Sequence, residues 1–303
     1  MENNPLVDVL LPAMLFVIML GVGLTLTVAD LREEARAPRG LIVGSLAQLV
    51  LLPILGFAIA ASLRLPAPLA VGLVICAACP GGTVSNLLAH LGRANVALSL
   101  VLTVIASVGT IVTLPLAANL ALEWKAASFG APPSVPLGRT LGLLVGVVLV
   151  PVAIGMLIRR HAPNTAPRLE RQLNRLGTAM LILLVVGLTA SLSGRIPKLA
   201  TKAGIPALLL NLGGVVIGFV VAVVARLPLR DQIACAIEMG TKNVALGMVV
   251  AITVLGSEAA LPAAMYGLFM YVSGFALVLF GARRLPAAKP LLATASLPRD
   301  IRE

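Results

Sequence analysis

Charge is scarce in this chain of 303 residues: Lys, Arg, Asp and Glu together make up 12%, about half the share of a soluble domain. With 59% apolar residues and a mean hydropathy of +1.04, that scarcity excludes an ordinary water-soluble fold and reads as an integral membrane protein. Cysteine is nearly absent. Cys76, Cys79 and Cys235 lie in apolar stretches with no second pair at zinc-finger spacing, so they read as small buried hydrophobes rather than metal ligands or disulfide partners. Histidine is limited to His90 and His161, both read as interfacial, and no HExxH occurs. Asp8, Asp30, Asp231 and Asp300 all fall at the ends of apolar runs or in tails. The zinc, Ser-His and paired-aspartate machinery of intramembrane proteolysis is therefore missing, and neither enzymatic activity nor a cofactor is expected. The opening residues MENNPLVD hold Glu2 and Asp8 but no Lys or Arg, the reverse of a signal peptide's basic start, so no cleavable signal is expected.

What is present is apolar sequence in lengths of about 20, enough to cross a bilayer. Nine such spans are expected, at roughly 6–28, 40–63, 69–91, 94–117, 138–158, 176–194, 204–225, 232–256 and 260–281. Pro53, Pro115 and Pro151 read as kinks within them, and Trp124 with Lys125 as an interfacial anchor. The formal charge of +11 lies in the connections, so it speaks for orientation rather than for nucleic acid, which is not an expected partner. Of 23 basic residues, 16 fall on one side, among them Arg93, Arg159, Arg168, Arg171, Arg226 and the tail at 282–303. That side is expected to be cytoplasmic, which places the N-terminus outside and the C-terminus inside an inner membrane.

Two spans are interrupted alike. The third carries Pro80, Gly81 and Gly82 beside Thr83, Ser85 and Asn86; the eighth carries Gly240 between Glu238 and Thr241, Lys242 and Asn243. Glu238 stands alone among 12 acidic residues in lying near the middle of an apolar span, and a charge there marks function by default. Five spans separate the two breaks, an odd number, so the repeat they imply is inverted, the construction of secondary-transporter binding sites. The expected fold is therefore all-α and polytopic, with about nine transmembrane helices in an inverted repeat whose first half lacks its opening helix. In the fourth span, Ser99 and Thr103 are four residues apart and share one helix face. Hydroxyl, amide and carbonyl oxygens around one carboxylate suit a dehydrated hard cation such as sodium.

The segments CPGGTVSNLLAHLGRANVALSLVLT (Cys79 to Thr103), EMGTKNVALG (Glu238 to Gly247) and GVGLTLTVADL in the first span resemble the bile acid:sodium symporter family, in the nine-span form of its bacterial members. The resemblance implies a sodium-coupled uptake system for an organic anion, bile acid-like or a small carboxylate. It implies two broken helices crossing in a core domain (here about 40–117 and 204–256) packed against a panel domain (about 6–28, 138–194 and 260–281). It further implies a first sodium site at Ser85, Asn86, Ser99, Thr103 and Glu238, a second at Gln48, Glu238, Met239, Thr241 and Lys242, and a substrate cavity faced by Thr83 and Asn243.

Lys242 departs from the family, which usually has glutamine there. An ammonium cannot ligate a cation, and its repulsion of a sodium ion a few ångströms away in a low-dielectric core amounts to several kcal/mol. The expectation is that Lys242 replaces the second sodium and pairs with Glu238. It would then act as a fixed counter-ion, as a proton carrier that makes transport partly proton-coupled, or as a direct partner of an anionic substrate. A proton-coupled symporter, or an antiporter or exporter of the same fold, is the alternative.

Overall fold

The computed structural model describes residues 11–25, 38–128, 144–191 and 196–286, with positions 27, 32, 34, 36 and 142. Most of the basic tail expected at 282–303 lies outside the described residues. Apolar runs too long for strands fold as helices throughout: α1 (Leu11–Thr25), α2 (Arg39–Ser62), α3 (Ala67–Ala78), α4 (Thr83–Leu91), α5 (Val96–Trp124), α6 (Val150–His161), α7 (Ala166–Ser191), α8 (Ile196–Val224), α9 (Leu229–Gly240), α10 (Val244–Leu255) and α11 (Leu261–Arg284). No strand occurs among the described residues.

Proline shapes two of these helices. A π-turn, Ala47–Leu51, runs up to Pro53 in α2, and a second, Val145–Leu149, runs up to Pro151 in α6. Proline has no N–H to give the carbonyl four residues back, so the hydrogen-bond ladder slips by one residue just upstream. Pro115 sits within an unbroken α5.

Among the described residues, α2, α5, the α9–α10 pair and α11, together with residues 201–224 of α8, are long and apolar enough to cross a membrane. The α3–α4 pair, bent by 57° at its break, passes the same measure only when its two helices are taken together. The expected spans at 6–28, 138–158 and 176–194 correspond to α1, α6 and α7, which fall short of that measure over their described residues. α1 has 15 residues, α6 has 12 and ends in Arg159 and Arg160, and the first half of α7 carries Arg168, Glu170, Arg171 and Arg175.

The helices pack as two groups. α1 lies against α6 and α7. Its approach to α6 is so close that a side chain at Gly23 would overlap the Val152 carbonyl. In the other group, α3 contacts α2, α5, α10 and α11, while α9 contacts α4, α5, α8 and α11. The expected placement of 260–281 with the panel does not match this packing. α11 lies on α8, α3 and α9, because Tyr266 and its glycines fit against the broken helices rather than against α1. At the centre of this second group, every residue of the apolar window of α9–α10 is buried, against 28% for α2 and for α11. Glu238 and Lys242 therefore face protein rather than lipid, as an intramembrane charge requires.

The approaches to the two breaks repeat one pattern. Arg64 and Arg226 each adopt a left-handed conformation just past the ends of α2 and α8. In both, the next residue's N–H reaches back five positions, Leu65 to Ala60 and Leu227 to Ala222, the Schellman closure. Each Arg-Leu is followed by a proline that starts a 12-residue helix ending at the break: Pro66 before α3, Pro228 before α9.

Candidate functional site

The breaks are stitched together by their backbones. Pro80 and the glycines after it cannot continue α3, and the chain runs extended through Gly82, the N-cap of α4. On the other strand of the junction, Thr241 is extended at the end of α9. Asn243 caps α10, its side chain accepting from the Leu246 N–H at 3.0 Å. The Asn243 N–H donates to the Pro80 carbonyl at 2.9 Å, and the Lys242 Nζ donates to the Cys79 carbonyl, also at 2.9 Å.

Glu238, in the last turn of α9, is wholly buried at this junction. Its Oε1 accepts from Thr103 Oγ1 at 2.7 Å and its Oε2 from Ser99 Oγ at 2.9 Å. One turn of α5 therefore supplies both donors, as the four-residue spacing predicts. Ser99 Oγ is also 3.1 Å from Asn86 Oδ1. With one proton to give, the hydroxyl donates to the charged acceptor, so the Asn86 oxygen faces the cluster with its lone pairs free. Asn86 Nδ2 is buried without a partner. Ser85, also buried, donates to the Gly82 carbonyl at 2.7 Å. Gly81 is required here, because a side-chain carbon at that position would overlap Glu238 Oε1.

All five residues expected at the first site are thus brought together. The second set is brought together in part. Ala47, Leu52 and Met239 pack as one cluster, which sets the π-turn bearing Gln48 against the residue after Glu238. Gln48 is 1% exposed and neither its Oε1 nor its Nε2 has a partner; the Thr241 hydroxyl is equally buried and unpartnered. Lys242 does not pair directly with Glu238: the structure holds no ion pair between them, and the ammonium goes to Cys79. The reason is local. Each carboxylate oxygen already has a hydroxyl donor from α5, whereas the carbonyls ending α3 lack helical donors and form the negative end of that helix's dipole.

Two residues escaped the sequence reading. The Tyr266 hydroxyl donates to the Gly240 carbonyl at 3.0 Å and lies 3.3 Å from that of Met239; Asn211 Nδ2 donates to Gly240 at 2.8 Å. Both are fully buried and close the end of α9 at its break. The signal was a lone amide in the apolar run ALLLNLGG, readable only once the break had been recognised as leaving carbonyls open.

A cavity of about 540 Å³ leads to the junction. Its inner end is polar, formed by Thr83, Asn86, Lys242 and Asn243, so the two residues expected to face substrate share one cavity wall. Leu87, Leu100 and Leu173 give it apolar sides, and Arg159 and Glu170 stand on its lining at the ends of α6 and α7. Partial burial raises the Glu170 carboxyl above its usual range, while Arg159 and Arg171 draw it back down.

Comparison with known proteins adds the last observation. A model of the sodium bile acid symporter family matches residues 12–199. The chain is 34% identical over 279 residues to a probable chloroplastic sodium/metabolite cotransporter of Oryza sativa subsp. japonica, covering 89% of this chain and 63% of that protein. It is 30% identical over 273 residues to the uncharacterized sodium-dependent transporter YocS of Bacillus subtilis, covering 89% and 82%. It is 28% identical over 240 residues to the human sodium/bile acid cotransporter 4, covering 79% and 54%.

Proposed function

This chain belongs to the sodium bile acid symporter family, and from that membership we propose that it is a secondary active transporter taking up an organic anion with sodium. The family is one of transporters, not enzymes. The observation that carries the reading is Glu238: a carboxylate sealed from lipid, ringed by the oxygens of Ser99, Thr103 and Asn86, where two helix breaks meet at the end of a cavity. Oxygen donors with one negative charge suit sodium, and Ser85, Asn86, Ser99, Thr103 and Glu238 form its site. The anion sits beyond, against Thr83 and Asn243, and the two occupants favour each other by a reciprocal coupling.

Lys242 makes the stoichiometry one sodium rather than two. Gln48, Met239 and Thr241 remain as a second-site remnant with open polar atoms, but the ammonium of Lys242 opposes a second cation beside them. Because Lys242 also lines the cavity, proton exchange through its amine is the second reading.

In the membrane, nine crossings are proposed, with the basic side cytoplasmic. α1, α6 and α7 form a panel and the remaining helices a core. The matched Arg-Leu-Pro approaches to the two breaks support an inverted repeat. The cavity runs between the groups and has Arg159 and Glu170 on the basic side, which fits an inward-facing state. Uptake into proteoliposomes under an imposed sodium gradient or an imposed proton gradient tests this reading. Anion uptake driven by sodium, one ion per cycle, supports it; uptake driven by protons alone points to the second reading, and two sodium ions per cycle exclude the role given to Lys242.

A further inference from the structure

The proposed reading places one anionic group at the inner end of the cavity and leaves Arg159 without a task. Arg159 is in the last turn of α6, partly buried, and stands on the cavity lining with Glu170 of α7. The charges of Arg159 and Arg171 both act on the Glu170 carboxylate. A guanidinium has five donors in a fork, more than a single carboxylate can take up, and the remainder suit a second carboxylate in bidentate fashion. The same lining carries the apolar side chains of Leu87, Val96, Leu100, Leu173 and Met270, with Thr25, Thr178 and Tyr271 among them. The cavity therefore joins charged and polar groups of both helix groups with apolar side chains, in a volume of about 540 Å³, well within the range of small-ligand sites.

We propose that Arg159 is a specificity-determining residue that binds a second anionic group, so that the transporter's substrate class is dianionic: an organic acid with carboxylates at both ends of an apolar body. One carboxylate lies at the junction by Thr83 and Asn243, the other on the Arg159 fork at the mouth. Because Arg159 belongs to the α1–α6–α7 group and Thr83 and Asn243 to the other, such a substrate spans both. This inference rests on the organic-anion reading given above.

The test measures binding of two straight-chain series, monocarboxylates and α,ω-dicarboxylates of four to twelve carbons, to the full-length protein in sodium, by competition and by shift of the unfolding midpoint. For the unaltered protein, dicarboxylates of one preferred length bind about tenfold tighter or better than monocarboxylates of that length, the effect of one additional charge-assisted contact. In Arg159→Gln that ratio falls toward one, and in Arg159→Lys, which keeps the charge but not the fork, part of it survives. A midpoint shift by sodium alone in each variant shows that the ion site has folded. Monocarboxylates binding as well as dicarboxylates, or a ratio unchanged in Arg159→Gln, overturns the inference and leaves the anion reading standing. Failure of both series to bind the unaltered, sodium-responsive protein overturns the anion reading and this inference together.

Discussion

The Lys242 ammonium and the Cys79 carbonyl, 163 residues apart in the chain, are joined by a 2.9 Å hydrogen bond across the two helix breaks. The positive charge just past α9 is thus spent on the open end of α3, and Glu238 is left to the hydroxyls of α5.

Glu238→Gln keeps the shape of the side chain and removes its charge. Sodium-driven uptake should cease, and the sodium-induced rise in unfolding temperature should vanish. Retention of either at wild-type sodium concentrations would show that the carboxylate is not the ion's ligand.

Thr103 separates a hydroxyl effect from a packing effect. Thr103→Val removes the donor to Oε1 and should weaken sodium binding about tenfold or more, since a hydrogen bond to a charged group contributes about 1.5–3 kcal/mol. Thr103→Ser keeps the donor and should stay within a few-fold of wild type in the same sodium titration.

Two substitutions at Lys242 divide its roles. Lys242→Gln removes the repelling charge beside Gln48 and Thr241, so the sodium dependence of uptake should steepen from a Hill coefficient near one toward two. Lys242→Met leaves the Cys79 carbonyl unmet without adding a ligand. It should lower stability by about 1–3 kcal/mol, the cost of a buried orphan acceptor, with no gain in sodium cooperativity.

Gly81→Ala places a methyl group on the Glu238 carboxylate. The expected outcome is a folded protein with sodium binding lost, because the carboxylate can swing away more readily than the stitched backbone can move. Binding at wild-type strength would mean that the two breaks separate easily.

Tyr266 and Asn211 share one acceptor, the Gly240 carbonyl. Tyr266→Phe and Asn211→Leu should each destabilise by about 1 kcal/mol, and the double variant by more than their sum, since only then is Gly240 wholly unpartnered. Chemical unfolding of the four proteins checks this.

The sequence was most legible where one residue type had to answer one physical demand. An acid in an apolar span needed donors, and Ser99 and Thr103, four residues apart on one helix face, supply them in the structure. Pro80 to Gly82 and Gly240 announced breaks because no helix continues comfortably through them. The direct pairing of Lys242 with Glu238 was not met, because α9 ends between them and the Cys79 carbonyl takes the ammonium. Tyr266 and the packing of α11 on α3, α8 and α9 were not legible, since an apolar helix does not reveal which neighbour covers which face. Arg64-Leu65-Pro66 and Arg226-Leu227-Pro228 were legible and passed unread, because two tripeptides gain meaning only when both are seen to close a helix in the same way.

Asn86 belongs to two places at once: its Oδ1 meets the Ser99 hydroxyl beside Glu238, and its residue lines the cavity. The α9–α10 pair is enclosed by protein, so in this state an ion at Glu238 would leave past Asn86 by way of that cavity. An anion resting on Thr83 and Asn243 would then act as a cork. On this side the ion would have to wait for that companion to leave.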